Sequence, residues 1–288
     1  MTNQRSLTKG VIFIILTFLS STLVGACGKG ATQYVSAFTL VFFQNIICFL
    51  LNLPISLKKG LKTHHPYLHL VRSLSGFLCI YCFFLAVTFI PLANTMLLQN
   101  TAPLWVPFII WIWLKQKVPN HFWWPILIGF IGIILILKPG RAVFDLMTAI
   151  ALSSGILLGI SWIAIRKLAE KEPVSRALFY FFLLSAILAF PLSISDLPAA
   201  FSWKPLLLLL GTGVFFYVGN VFLTLAFKYA SVSTLSPFCY LAVPFSAIFD
   251  WIFWAHVPDL ISIIGMVLVI IGGIFSILLE KKYEKKYI

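Results

Sequence analysis

Leu97-Leu98-Gln99-Asn100-Thr101-Ala102-Pro103-Leu104-Trp105-Val106-Pro107 is the stretch that decides the fold. It lies inside an apolar run from about Leu92 to Leu114, long enough to cross a bilayer. Three polar residues and two prolines fall near the middle of that run. Hydrocarbon cannot satisfy an amide or a freed carbonyl, so this segment must face protein or a water-filled cavity. A second stretch mirrors it late in the chain, Thr234-Leu-Ser-Pro-Phe-Cys-Tyr-Leu-Ala-Val-Pro244. Interrupted apolar segments at matching places in two halves point to a solute site between repeats.

Composition supports a lipid setting for the rest. The 288 residues are 61% hydrophobic and only 10% charged, against roughly 45–50% and 25% in soluble domains. At roughly 20 residues per span, ten spans and short loops use the whole length. The formal charge of +13 might indicate nucleic acid, but the basic residues lie between apolar runs and at the ends. That is a topology signal, and no nucleic-acid partner is expected. With the N-terminus inside and ten spans, the outer side receives only Lys29, Lys138, Arg141 and Lys204 of the 21 Lys and Arg. The expectation is therefore a multi-pass inner-membrane protein with both termini cytoplasmic.

The halves are expected at 1–143 and 144–288, five spans each. Ala86 matches Ala226, Pro103 matches Pro244, Trp113 matches Trp254 and Gly132 matches Gly272, all at an offset of about 140 residues. Five is odd, so the repeats must be inverted relative to each other. The fold class expected is all-α, polytopic, with ten transmembrane helices in two inverted five-helix repeats. Span 1 (about Gly10 to Gly30) and span 6 (about Leu146 to Ile165) are rich in Gly and Ser, which let helices approach closely.

Several motifs carry no chemistry. Val24-Gly25-Ala26-Cys27 resembles a lipoprotein cleavage box, but the apolar run continues past it and no cleavage is expected. Cys79-x-x-Cys82 lies within a span and reads as small-apolar packing. His64-His65 lacks acidic or Cys neighbours, so no metal is assigned there. No phosphate-binding Gly-rich loop, zinc motif or paired carboxylate occurs, and no cofactor is expected.

The candidate site is built from polar and aromatic residues within spans. Gln99, Asn100 and Asn220 are amides that need partners, either a neighbouring helix or a solute. Trp105 is mid-span, unlike the interfacial tryptophans, and with Tyr217 and Tyr240 it fits an apolar or cation–π site. Arg72 lies about six residues into span 3, roughly 9 Å deep. Two readings stand for it, snorkelling to headgroups or attracting an anion at the inner mouth of a cavity. Asp250 is the one acid inside a span, and Lys29 is the basic residue nearest it in this topology. Lys29 and Asp250 are assigned as a pair or outer gate, with protons as the candidate coupling ion.

Arg72-x-x-x-Gly76, Phe84-Leu-Ala-Val-Thr-Phe-Ile-Pro-Leu-Ala93 and Thr101-Ala-Pro103, repeated as Ala226-Phe-Lys-Tyr-Ala230 and Pro244, resemble the signature of EamA-type transporters of the drug/metabolite transporter superfamily. The resemblance covers nearly the whole chain. It implies ten helices in two inverted repeats, a central cavity, and transport of small metabolites such as amino acids, amines or S-adenosylmethionine. Part of the chain is similar to S-adenosylmethionine uptake proteins, without separating them from amino-acid exporters. Many members carry Arg in the second helix where this chain has Gln44. The expected function is thus a secondary transporter working by alternating access on a small-molecule substrate in the bilayer. The alternatives are a membrane-embedded lipid-modifying enzyme, for which no reactive constellation is visible, and a channel.

Overall fold

The computed structural model describes residues 2–115, 124, 127–129, 131–132, 135, 146–169, 171–194, 202–229, 242–255 and 259–284. Ten helical elements carry most of these: α1 (Thr2–Ala31), α2 (Ala37–Lys59), α3 (Pro66–Val87), α4 (Leu92–Gln99), α5 (Ala102–Leu114), α6 (Leu146–Ala169), α7 (Val174–Ser193), α8 (Trp203–Tyr229), α9 (Ala242–Trp254) and α10 (Leu260–Glu284). No strand occurs among the described residues. Among the described residues six helices are long and apolar enough to cross a membrane: α1, α2, α3, α6, α7 and α8. Most of expected span 5 (about Phe122 to Leu137) and the first part of span 9 (about Ser231 to Trp254), with Tyr240, lie outside the described residues.

Polar side chains share the interior with a hydrophobic core, and large apolar ones face outward. Thr22, Thr39, Gln44, Asn45, Thr101, Ser154 and Asp250 are fully buried, while Ile112 is 71% exposed and Trp251 65%. Large apolar side chains outside and polar ones inside suit a hydrocarbon solvent.

Span 4 is not one helix. Its apolar run breaks at Asn100 and Thr101, and α5 begins anew at Ala102. The cause is covalent: Pro103 has no N–H to give to the carbonyl four residues back. Thr101 tightens the turn before the break, its amide and hydroxyl both donating to the Leu98 carbonyl, at 3.3 and 2.6 Å. The break packs on α6 at Gly155, where a Cβ would lie 2.5 Å from the Leu98 oxygen and 2.5 Å from Thr101 Oγ1. Glycine is required there by backbone approach rather than by a turn.

Helix packing follows a pattern. α1 packs mainly on α8, α3 on α6, and α2 on α7; α4 touches both α6 and α9. α2 and α7 run antiparallel. Phe42 meets Phe190 (5.4 Å between centroids) and Phe49 meets Phe179 (5.3 Å), while Asn52 donates to the Ser175 carbonyl at 3.0 Å.

Candidate functional site

At one end of the bundle, where α1, α3, α7 and α9 finish and α4 begins, a buried acid ties three helices. Lys29 Nζ donates to Asp250 Oδ1 at 2.6 Å, and the Ala93 amide donates to Asp250 Oδ2 at 2.7 Å. Ala93 is in the first turn of α4, so Asp250 of α9 satisfies one of that helix's orphan N–H groups and meets the positive end of its dipole. The Lys29 ammonium also lies 4.4 Å from the Trp254 ring centroid. Asp250 is wholly buried and the Lys29 side chain nearly so. A pair this dry is held by geometry, and removal of either partner strands a charge.

A second acid closes the opposite end. Glu172, between α6 and α7, accepts from the Thr63 hydroxyl and the His64 amide on Oε1, and pairs with His69 Nε2 (2.8 Å) and Arg176 Nη1 (3.8 Å) on Oε2. Arg176 Nε donates to the Gly60 carbonyl at 3.0 Å, and the Tyr180 hydroxyl to that of Leu61 at 2.8 Å. Gly60 has φ 77°, a left-handed conformation that glycine adopts without strain. Burial alone would raise the Glu172 carboxyl; the Thr63 and His69 hydrogen bonds, the His69 charge and the His64 amide outweigh it, and the net shift is downward.

Between the two ends lies Arg72, buried in α3. Its Nη1 donates to Ser161 Oγ of α6 at 2.7 Å, and the guanidinium lies 3.9 Å from the Phe181 ring centroid. Among the described residues no carboxylate pairs with it. A buried guanidinium has five donors and a full charge to compensate. One hydroxyl and one aromatic face leave capacity for an anion.

The other central candidates are placed as follows. Gln99 Nε2 reaches Cys79 Sγ at 3.5 Å. Asn100 and Asn220 each donate to the carbonyl four residues back in the chain, at 2.8 and 2.9 Å. Trp105 Nε1 donates to Thr101 Oγ1 at 3.0 Å, and the indole lies beside Phe108. Tyr217 is half-buried on α8. The structure thus brings Lys29 to Asp250, and leaves Arg72 apart from both. Gln44 is wholly buried and neither atom of its amide meets a partner, nor do Asn45 Oδ1 and Ser185 Oγ. Among the described residues no cluster of His, Cys, Asp or Glu is arranged to hold a metal.

Several functional contacts escape sequence reading. Thr63 and His69 lie in or beside the basic loop between spans 2 and 3, and Glu172 in the charged loop between spans 6 and 7; neither loop points to the other in sequence. Ser161 and Phe181 are Arg72's neighbours from 89 and 109 positions away. The one available signal was Ser161 in a Gly/Ser-rich span, which marks close packing without naming a partner.

An all-helical bundle with apolar flanks, a buried arginine and an interrupted helix at its centre is built as a membrane carrier. The chain belongs to the EamA-like transporter family, which matches it twice, over residues 8–138 and 146–278. It is 30% identical to the pseudopaline exporter of Pseudomonas aeruginosa, over 93% of this chain and 95% of that protein. It is 24% identical to the S-adenosylmethionine uptake transporter of Rickettsia prowazekii (96% and 95% covered) and 23% to the riboflavin transporter of Vibrio cholerae (94% and 95%). A solved crystal structure shares the fold at a TM-score of 0.62 and 18% identity, covering 98% of this chain and 99% of that one. The protein is a multi-pass membrane transporter, and membership of this family sets the enzyme alternative aside.

Proposed function

We propose that this protein moves a small polar metabolite across the inner membrane by alternating access, and that Arg72 holds an anionic group of the solute. The observation that carries this is the buried Arg72 guanidinium, bound by Ser161 and Phe181 and matched by no described carboxylate. Amino acids, amino-acid-like amphiphiles and S-adenosylmethionine have the required carboxylate and size. Gln99, Asn100, Trp105, Tyr217, Asn220 and Tyr240 complete the site as the bundle opens.

Two inverted five-helix repeats, 1–143 and 144–288, are the architecture proposed. Two findings support it. The family matches the chain twice in tandem. The packing also respects an exchange of halves: α1 on α8 corresponds to α6 on α3, α8 on α2 to α3 on α7, and α2 on α7 to itself. The distribution of Lys and Arg favours the Gly60 end as cytoplasmic, with both termini there. On this reading Glu172 closes the inner side and Lys29–Asp250 the outer side, where Asp250 is the group to accept a coupling proton.

The experiment is counterflow into proteoliposomes preloaded with amino acids or S-adenosylmethionine, with and without a pH gradient. Saturable, trans-stimulated uptake of one compound is expected, and its response to the gradient reports proton coupling. No counterflow for any of them would overturn this substrate class.

A further inference from the structure

We propose that the cleft at the Gly60 end is an anion-binding station: it takes the carboxylate or phosphate of a cytosolic solute and stands at the mouth of the α3–α6 seam that leads to Arg72. The proposal rests on the transporter reading above and adds the chemistry by which a solute is first captured.

The cleft has a volume of about 390 Å³, with His64, His65, Tyr67, Trp113, Lys167 and Lys171 among its walls. That is within the roughly 300–1,000 Å³ of small-molecule sites. Three elements meet there: the start of α3, the end of α5 and the end of α6. Lys167 Nζ stands 5.1 Å from the Trp113 ring centroid, so an aromatic face positions one ammonium group. Among the described residues no carboxylate lines the cleft. Glu172, the acid described nearby, has both oxygens committed to Thr63, His64, His69 and Arg176. The described walls of the cleft therefore carry two lysines and two histidines and no acid.

Helix register connects this cleft to Arg72. α3 and α6 run antiparallel in contact, with Arg72 bonded to Ser161. Tyr67 is five residues before Arg72, and Lys167 six after Ser161. At 1.5 Å per residue the cleft lies about 8–9 Å from Arg72 along one seam. The bias of basic residues to one side explains why lysines are at this end. It does not explain why two of them, with two histidines and a tryptophan, converge on one cleft above a buried arginine. Clustered charge on low-dielectric walls raises the local concentration of an anion.

Two sources share this chemistry, a soluble anion and a lipid headgroup phosphate, and the test separates them. The full-length protein is placed in phosphatidylcholine nanodiscs, and citrate or inorganic phosphate is titrated at constant ionic strength while thermal unfolding is followed. The same titration is run on Lys167→Gln/Lys171→Gln, and on Lys167→Arg/Lys171→Arg as the charge-conserving control. A third arm adds phosphatidylglycerol to the nanodiscs in place of the soluble anions. Saturable stabilisation of the wild type and the Arg variant is expected, with affinity lower by about tenfold or more in the Gln variant, as for loss of charge-assisted hydrogen bonds. An equal response in wild type and Gln variant overturns the proposal, because binding is then elsewhere. A response to phosphatidylglycerol alone also overturns it, because the cleft then belongs to lipid. No response in any arm overturns it too, and leaves the transporter reading to be judged by counterflow, which does not require this cleft.

Discussion

In the proposed site Arg72 is the residue on which solute binding would depend most directly, because its charge is buried against a hydroxyl and a ring. Replacing it separates charge from shape. Arg72→Gln removes the cation, and counterflow of a carboxylate-bearing solute should fall by about tenfold or more, since a hydrogen bond to a charged group contributes about 1.5–3 kcal/mol. Arg72→Lys keeps the charge but not the planar fork or its stacking on Phe181, and should fall between. Initial rates of counterflow in proteoliposomes, normalised to inserted protein, measure both. Equal rates for all three proteins would remove Arg72 from the site.

Lys29 and Asp250 make a different residue-scale prediction. Losing one member of a buried pair costs about 3–5 kcal/mol, so Lys29→Asp or Asp250→Lys alone should strongly lower the unfolding temperature and transport. The double reversal restores the ion pair but leaves the Ala93 amide facing an ammonium group instead of a carboxylate. Rescue should be real and incomplete. The pair can be matched in sequence because each partner is the charge nearest the other in the ten-span topology. The Ala93 amide cannot, because any residue of a first turn offers the same N–H. Asn100 and Asn220 teach the complementary lesson. A sequence shows that a buried amide needs a partner, but both donate to a carbonyl one turn back in their own chain segment, a bond that every helical position offers alike.

At the scale of elements, the α4–α5 break and its seat on α6 are the most exacting fit. A methyl group at Gly155 would have to displace the Leu98 carbonyl, which is backbone. Gly155→Ala should therefore destabilise by about 1–3 kcal/mol, as overpacking does. Gly30→Ala is the control: its new Cβ would meet only Leu208 side-chain carbons at 3.4 and 3.6 Å, and stability should hold. Unfolding in mixed micelles compares them. The break itself was legible, because Gln99-Asn100-Thr101 and Pro103 disrupt an apolar run. Its seat on Gly155 was not, since span 6 offers Gly155 and Gly159 alike. The Glu172 network gives a pH prediction at this scale. Glu172 joins the α2–α3 loop to α7, and its carboxyl is depressed. A depressed carboxyl contributes stability above its ordinary pKa, about 4.3, and loses it as pH falls through the lower folded value. The difference in unfolding temperature between wild type and Glu172→Gln should be full near neutrality and shrink below about pH 4. A difference that grew with acid would mean that Glu172 is not stabilised as its carboxylate.

For the whole molecule, the two acids matter through their positions. Asp250 and Glu172 close opposite ends, and each closure joins elements from both halves of the chain: α1 and α4 with α9, and the α2–α3 loop with α6 and α7. In a carrier whose halves rock about a central site, only one end need be open at a time. Fixing the closure at Asp250 should then favour opening at the Glu172 end. In a background with the five native cysteines replaced, joining Lys29→Cys/Asp250→Cys with a short bis-maleimide should abolish the counterflow that the same variant supports before cross-linking, which shows only that this end must open. The discriminating measurement adds a Ser161→Cys reporter, beside Arg72 at the bottom of the α3–α6 seam. Because all three engineered thiols would react with maleimides, the reporter is first protected with a membrane-impermeant reversible disulfide reagent added only at the Glu172 end, then freed after cross-linking and titrated from that same side. Rocking predicts faster labelling of the reporter in the cross-linked protein than in the uncross-linked one, because the population shifts toward the inward-open state. Slower or unchanged labelling would mean that the two ends open independently, which describes a channel-like pore and not alternating access.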